Sequence, residues 1–355
     1  MLTDKNVVVF GGTGSLGRLL VRRLLAGECG RPNAVTVVSR DEAKQHYMRL
    51  DFQQLAVSTD DIIYHDSTRV LQFRIGDVRD FRAVRSAIRD ADCVINAAAL
   101  KQVPACEYFP YEAVQTNIVG AENLVQAIRD NNSRVKTFIG VSTDKACKPV
   151  NVMGMTKAIQ ERIFTRASMD CPDTRFNCVR YGNVLASRGS VIPLFHDQIK
   201  HGGPVTVTTE VMTRFLLSLD TAVDTIFAAL LQGRTGEIFV PIVPTARMID
   251  VASVLIGNRP IEIKMIGIRP GEKEHEVLIS EEEAYRTVRR GQYYVVLPML
   301  PELRTVTPEK SPLESGEYSS SSPVMTTEEI YTLLETNELL ADQALDKAFA
   351  GTQAV

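Results

Sequence analysis

The stretch Val7–Phe10 running into Gly11-Gly12-Thr13-Gly14-Ser15-Leu16-Gly17 limits what this chain can fold into more than any other segment. An apolar strand breaks into glycines at 11, 14 and 17 and resumes at once as an apolar helix. That pattern suits a tight turn, close approach of a ligand to bare backbone, and direct packing of helix on strand. The helix start offers unpaired amides and the positive end of its dipole, so the expected ligand is the pyrophosphate of a dinucleotide. Gly11, Thr13, Gly14, Ser15, Leu16 and Gly17 are the candidate contacts.

The rest of the first half repeats that rhythm. Val35–Ser39, Val70–Ile75, Cys93–Asn96, Lys136–Ser142 and Phe176–Arg180 are almost continuously apolar, as parallel strands buried on both faces are. Amphipathic helices are expected over Leu16–Ala26, Phe81–Arg89, Ala113–Asp130 and Met153–Ser168. The fold class is therefore α/β, a doubly wound parallel sheet, with a smaller interleaved substrate-binding domain where the regularity ends after Gly182. We expect residues 1–182 and part of 213–245 in the dinucleotide-binding domain, 183–212 and 246–330 in the second, and 331–355 as a C-terminal helical tail. Thr326 or Thr327 opens a helix with acidic residues in its first turn. Ser311–Pro323, rich in Ser, Pro and Gly, reads as a linker or a lid.

Composition narrows the function classes. Forty Lys and Arg against 43 Asp and Glu leave a net charge of -3, which gives no general attraction to nucleic acid or an anionic membrane. No apolar run approaches the roughly 20 residues that span a bilayer, and the first strand starts too early to leave room for a signal peptide. Six scattered cysteines, with no CxxC, read as buried or half-buried free thiols in a reducing cytoplasm. The histidines form no HxxH or HExxH, and a surface charge cluster explains His275 between Glu274 and Glu276 as well as any site does, so no metal site is expected.

Further cofactor contacts follow from strand ends. Arg40 suits a ribose 2′-phosphate and Lys44 lies just beyond it, whereas Asp41 would suit a free ribose; NADP is expected, with NAD as the alternative. Asp77-Val78 after the third strand can meet the adenine, and Ala97, after Asn96 on the fourth, lets backbone approach the cofactor.

The fifth strand carries Ser142-Thr143-Asp144-Lys145 to the carboxyl edge, where an adjacent acid and amine can give and take protons if their pKa values are tuned to the task. Lys157 falls at the i+4 position from Met153 on one helix face, placed to bind the nicotinamide ribose. The glycine turn, Asn96-Ala-Ala, Ser142-Thr-Asp-Lys and Met153-x-x-x-Lys157 together resemble the extended short-chain dehydrogenase/reductase family, a Rossmann family. Within it, SRDEAKQ, ALKQVP, STDKACKPVNVMGMTKAIQE, MTRF and GIRPGEKEHEVLISEEE are similar to the UDP-N-acetylglucosamine 4,6-dehydratases of capsule, flagellin-sugar and protein-glycan biosynthesis, over residues 5–335.

That resemblance implies oxidation at sugar C4, loss of water across C5 and C6, and return of the hydride to C6, with a UDP-sugar as substrate and a homo-oligomer, dimer or hexamer, as the working form. It implies Lys145 as the base at C5 and Asp144 as the acid at the C6 hydroxyl. The wider family's Tyr-x-x-x-Lys is here Met153-x-x-x-Lys157, and methionine has no proton to exchange, so the C4 base is open. Thr143 can donate to the C4 oxygen, and Asp144 can serve at both positions. Substrate contacts are expected from Asn183, from Val191 where Gly189–Pro193 begins a helix, from Lys101 in ALKQVP, from Arg214 in MTRF, and from Arg269 and Glu272 in RPGEK. The alternatives are a C4 or C5 epimerase acting on a UDP-hexosamine, and a cofactor-binding scaffold without turnover.

Overall fold

Strands too apolar to face water on either side form the centre of a nine-stranded sheet in the computed structural model, which describes residues 1–57, 70–130, 134–185, 190–304, 311–313, 316–321 and 323–340. Gly189, positions 314, 315 and 322, and the tail beyond 340 lie outside the described residues. The strands β1 (Asn6–Phe10), β2 (Ala34–Ser39), β3 (Leu71–Ile75), β4 (Cys93–Asn96), β5 (Thr137–Val141) and β6 (Arg175–Val179) run parallel in the order β3-β2-β1-β4-β5-β6. The winding reverses between β1 and β4, which opens a crevice at their carboxyl ends, where ligands bind in such sheets. Val7, Val9, Val35, Val37, Phe138 and Phe176 are fully buried in its core.

Beyond β6 the sheet continues with β10 (Ile238–Pro241), parallel, and then with an antiparallel hairpin of β15 (Tyr293–Val296) and β14 (Thr287–Arg290). Part of the stretch expected in the second domain, 246–330, is thus built into the first. Leu278, Ile279, Val295 and Val296 bury in the main core because the segment closes one end of the sheet.

The second lobe has its own core. The short strands β7 (Asn183–Val184), β9 (Thr213–Leu217) and β11 (Thr245–Arg247) form one small sheet, and β8 (Val205–Val207) with β12 (Ile263–Met265) another. They pack with the helices Val191–Lys200 and Met248–Ile256 around Ile192, Phe195, Val205, Leu216, Val251 and Leu255. The helix Thr327–Thr336 adds Ile330 and Leu334, one turn apart on the same face. Its Thr326–Glu329 capping box fixes the start, so the expected boundary at 330 cuts a helix that belongs to this core.

Two other expectations change. The helix foreseen over Ala113–Asp130 is Pro110–Val114, a π-helical turn Gln115–Val119, and Gly120–Asp130. The described part of the Ser311–Pro323 segment is tied into the body. β16 (Tyr318–Ser319) pairs with β13 (Val277–Ile279), Ser320 is fully buried, and the Val243 amide donates to the Tyr318 hydroxyl at 3.0 Å. All six cysteines are free and buried. No described helix is long and apolar enough to cross a membrane.

Candidate active site

β1 brings the glycine turn to the carboxyl edge beside β4. Gly11 has φ +76°, and a Cβ on it would stand 2.7 Å from the Ala98 nitrogen; one on Gly17 would stand 2.5 Å from Gly12 Cα. The protein's own packing demands those two glycines. Gly14 differs, because a Cβ there would meet nothing nearer than the Gly11 oxygen at 3.5 Å. It is also the N-cap of the helix Ser15–Leu25 and has no side chain with which to cap it. Thr13 is buried, while Ser15 and Leu16 are half-buried. The bare turn and uncapped amides fit a dinucleotide pyrophosphate.

At the ends of β2 and β3, the Lys44 ammonium lies 2.7 Å from Asp41 and neutralises it. Arg40 stays 56 % exposed, with Nη1 3.7 Å from Asp77. Asp77 accepts from both the amide and Nε of Arg79 at 2.9 Å. Burial pushes that carboxyl up, but the Arg79 hydrogen bonds outweigh it and hold it below its ordinary range. Val78 packs in the core and its carbonyl accepts from Asn123 at 2.9 Å. The half-buried Ala97 donates its amide to the Phe10 carbonyl at 2.9 Å, knitting the end of β4 to β1.

The end of β5 holds the densest chemistry. Thr143 caps a single 3₁₀ turn, Asp144–Ala146, which throws the Asp144 and Lys145 side chains together. Asp144 is 1 % exposed; its Oδ1 accepts from Thr143 Oγ1 at 2.8 Å and from Lys145 Nζ at 3.1 Å, while Oδ2 has no hydrogen-bond partner among the described residues. Lys145 Nζ lies 3.0 Å from Glu276 Oε1 as well. Burial pushes the Lys145 ammonium down, but Asp144 and Glu276 outweigh it and hold it above the ordinary lysine value, against the opposing charge of Arg214. An unpartnered buried carboxylate oxygen beside a cation costs free energy as it stands, which fits a polar group arriving from outside the chain.

The other expected residues divide. Lys157 is buried, donates to the Val141 carbonyl at 2.6 Å and bonds Gln160, and burial lowers its pKa to about 8. Met153 lies in a small apolar cluster with Cys106 and Ala113. Asn183 Oδ1 and the Tyr181 hydroxyl are buried without hydrogen-bond partners among the described residues, and burial pushes the Tyr181 phenol up, so that it keeps its proton. Arg214 is buried and donates to the carbonyls of Thr213 and Glu274 at 2.7 and 3.1 Å. Arg269 is exposed on the turn after β12, its amide 3.4 Å from Glu272 Oε2, which also meets Thr208 at 3.5 Å. Val191 starts its helix and leans on the second core, and Lys101 is exposed just beyond β4. The structure thus gathers Thr143, Asp144, Lys145 and Arg214 in one place, and packs Met153 among apolar side chains.

Residues 7–298 match the model of a family described as polysaccharide biosynthesis protein. The chain belongs to that family. The match takes in the glycine turn, the Asp144–Lys145 turn and Glu276. The chain is 40% identical over 305 residues to the Campylobacter jejuni UDP-N-acetylglucosamine 4,6-dehydratase (inverting), covering 84% of this chain and 85% of that protein. It is 42% identical over 299 residues to a Rickettsia bellii UDP-glucose 4-epimerase, 83% of each. The X-ray structure of Pen from Bacillus thuringiensis superposes with a TM-score of 0.84 at 33% identity, over 96% of this chain and 100% of that one. Streptomyces venezuelae DesIV, a dTDP-glucose 4,6-dehydratase with NAD and TYD bound, shares the fold at TM-score 0.63 and 21% identity, over 76% and 86%. The fold is that of the extended short-chain dehydrogenase/reductases.

Three features of this family member were not foreseen. Glu276, in a charged run that a surface cluster explains as well as a site does, is 2 % exposed, because its amide donates to Ser320 Oγ at 2.9 Å and the strand that follows enters the core. Asn117, in the π-helical turn, bonds both the amide and carbonyl of Leu100 and Thr156 Oγ1, linking the β4 loop to the helix of Lys157; such turns often mark functional sites. Arg180 lies between Glu161 and Glu283 at 2.6 and 2.7 Å, so it anchors the Glu276 segment to the sheet. A charged run alone gives no sign of such burial; the one hint was Leu278 and Ile279 directly after it.

Proposed function

We propose that this protein is an NADP-dependent enzyme acting on nucleotide-sugars, and specifically a UDP-N-acetylglucosamine 4,6-dehydratase. The observation that carries the reading is the buried Asp144–Lys145 pair, 3.1 Å apart, at the carboxyl end of β5. Epimerisation at C4 needs one group that takes and returns one proton. Dehydration needs further proton handling at C5 and C6, and two adjacent groups of opposite kind supply it.

Bound in the glycine cradle, a nicotinamide dinucleotide supplies reversible hydride acceptance. Asp144, with its free Oδ2, takes the C4 hydroxyl proton, since Met153 cannot and the Tyr181 phenol is raised by burial. That uptake neutralises one of the two carboxylates that keep Lys145 charged. Lys145, having released its ammonium proton to solvent, then takes the C5 proton; Asp144 passes its own to the departing C6 hydroxyl; and Lys145 returns a proton to C5 as C6 gains the hydride that C4 lost, recovering its ammonium form from solvent. The balance is loss of one water. Return of the C5 proton to the opposite face would invert that centre, as the name of the Campylobacter relative states for that protein. In this reading Arg214 and Asn183 meet the diphosphate or its ribose, Arg269 the diphosphate, and Lys101 the sugar. Arg40 favours NADP, because Asp41 is already neutralised by Lys44 while the guanidinium remains exposed.

A C4 epimerase is the second reading, favoured by the name of the Rickettsia relative. Incubation with UDP-N-acetylglucosamine and, separately, with UDP-glucose, followed by NMR of the product, tests both. A 4-keto-6-deoxy sugar is expected from the first substrate; a C4-inverted hexose with C6 intact would establish the epimerase.

A further inference from the structure

Lys145 is held by two carboxylates from different parts of the chain. Asp144 sits beside it on its own turn, and Glu276 reaches it from the segment ahead of β13. Glu276 is fixed independently of Lys145. Its amide donates to Ser320 Oγ at 2.9 Å and its carbonyl accepts from the Ser320 amide at 2.8 Å, while Arg180 pins the following helical turn through Glu283. Its second oxygen, Oε2, has no hydrogen bond among the described residues and lies 3.9 Å from Lys273 Nζ. No step in the proposed chemistry uses this carboxylate.

We infer that Glu276 is a positioning residue for Lys145: it fixes the ammonium beside Asp144 and decides when that nitrogen is free to take a proton. The inference rests on the proposed role of Lys145 at C5. The other charges around Lys145 are accounted for. Arg214 on β9 opposes the ammonium, Lys273 is turned to the Cys147 carbonyl at 2.8 Å, Lys157 to the Val141 carbonyl, and Glu161 to Ser142 and Arg180. When Asp144 is protonated during turnover, Glu276 is, among the described residues, the remaining counter-charge within hydrogen-bond distance of Lys145. Removing its charge lets Lys145 deprotonate at lower pH. An opposite charge at this range shifts such a group by roughly 1 to 3 pH units.

The test is titration of Lys145 in the protein purified with its bound cofactor and labelled at lysine Cε, the Lys145 signal being assigned by its loss in Lys145→Ala. Glu276→Gln keeps size and should lower the midpoint by roughly one unit or more, whereas Glu276→Asp keeps the charge and should lower it less. The acid limb of C5 deuterium wash-in should move the same way in Glu276→Gln. An unmoved midpoint in folded Glu276→Gln protein overturns the inference. Should that variant not fold, Glu276→Asp decides: slower wash-in with C4 oxidation retained supports the role, and equal loss of both steps overturns it. If the wild type shows no C5 exchange with any UDP-hexosamine, the dehydratase reading fails while the titration still decides the place of Glu276.

Discussion

In the proposed reaction Lys145 and Asp144 differ in when they act, and that difference is measurable. Lys145→Ala should abolish net product while leaving some C4 oxidation, with a loss of roughly 10²- to 10⁴-fold in C5 exchange. Asp144→Asn should slow both oxidation and water loss, since one carboxylate serves both. Single-turnover cofactor absorbance and deuterium exchange separate the steps; an Asp144→Asn enzyme that oxidises C4 at the normal rate would take that residue out of the first step. Met153 belongs to packing. Met153→Leu keeps volume in the cluster with Cys106 and Ala113, so it should cost less than about 1.5 kcal/mol and leave most activity. A folded Leu variant with normal substrate affinity but little hydride transfer would show a role for the thioether that packing does not explain.

The elements meet at one charged knot. Arg180 at the end of β6 holds Glu161 of the helix Val152–Asp170 and Glu283 after β13, and all three are buried. Arg180→Met strands two carboxylates, which should cost about 3–5 kcal/mol in urea unfolding and loosen the Glu276 segment; a cost under about 1 kcal/mol would mean that solvent reaches the knot. The knot also shows where reading the sequence stops. The parallel strands were legible because runs such as Val35–Val38 tolerate water on neither face, and the glycine turn because sterics demand Gly11 and Gly17. The hairpin of β14 and β15 was not, since Thr-Val-Arg-Arg has the polarity of a loop and becomes a strand only by pairing with β15. Glu276 was hidden for the same reason: burial of a charge depends on Lys145, 131 positions earlier in the chain, and the apolar Leu278 and Ile279 that follow are its one local trace.

At the scale of the whole molecule, the parallel sheet carries both the glycine cradle and the Asp144–Lys145 turn, and the second lobe with the β13 segment brings Arg214 and Glu276 to the end of β5. Cofactor choice is testable on the sheet alone. Arg40→Ala should weaken NADP much more than NAD in titrations of cofactor-free protein, because only NADP presents a 2′-phosphate; equal losses would remove Arg40 from the site. The dehydratase claim itself is tested most directly by the mass of the product formed from UDP-N-acetylglucosamine in heavy water. The account predicts loss of one water together with gain of one deuterium at C5. A product of unchanged C6 oxygen content, whatever its stereochemistry, would contradict it.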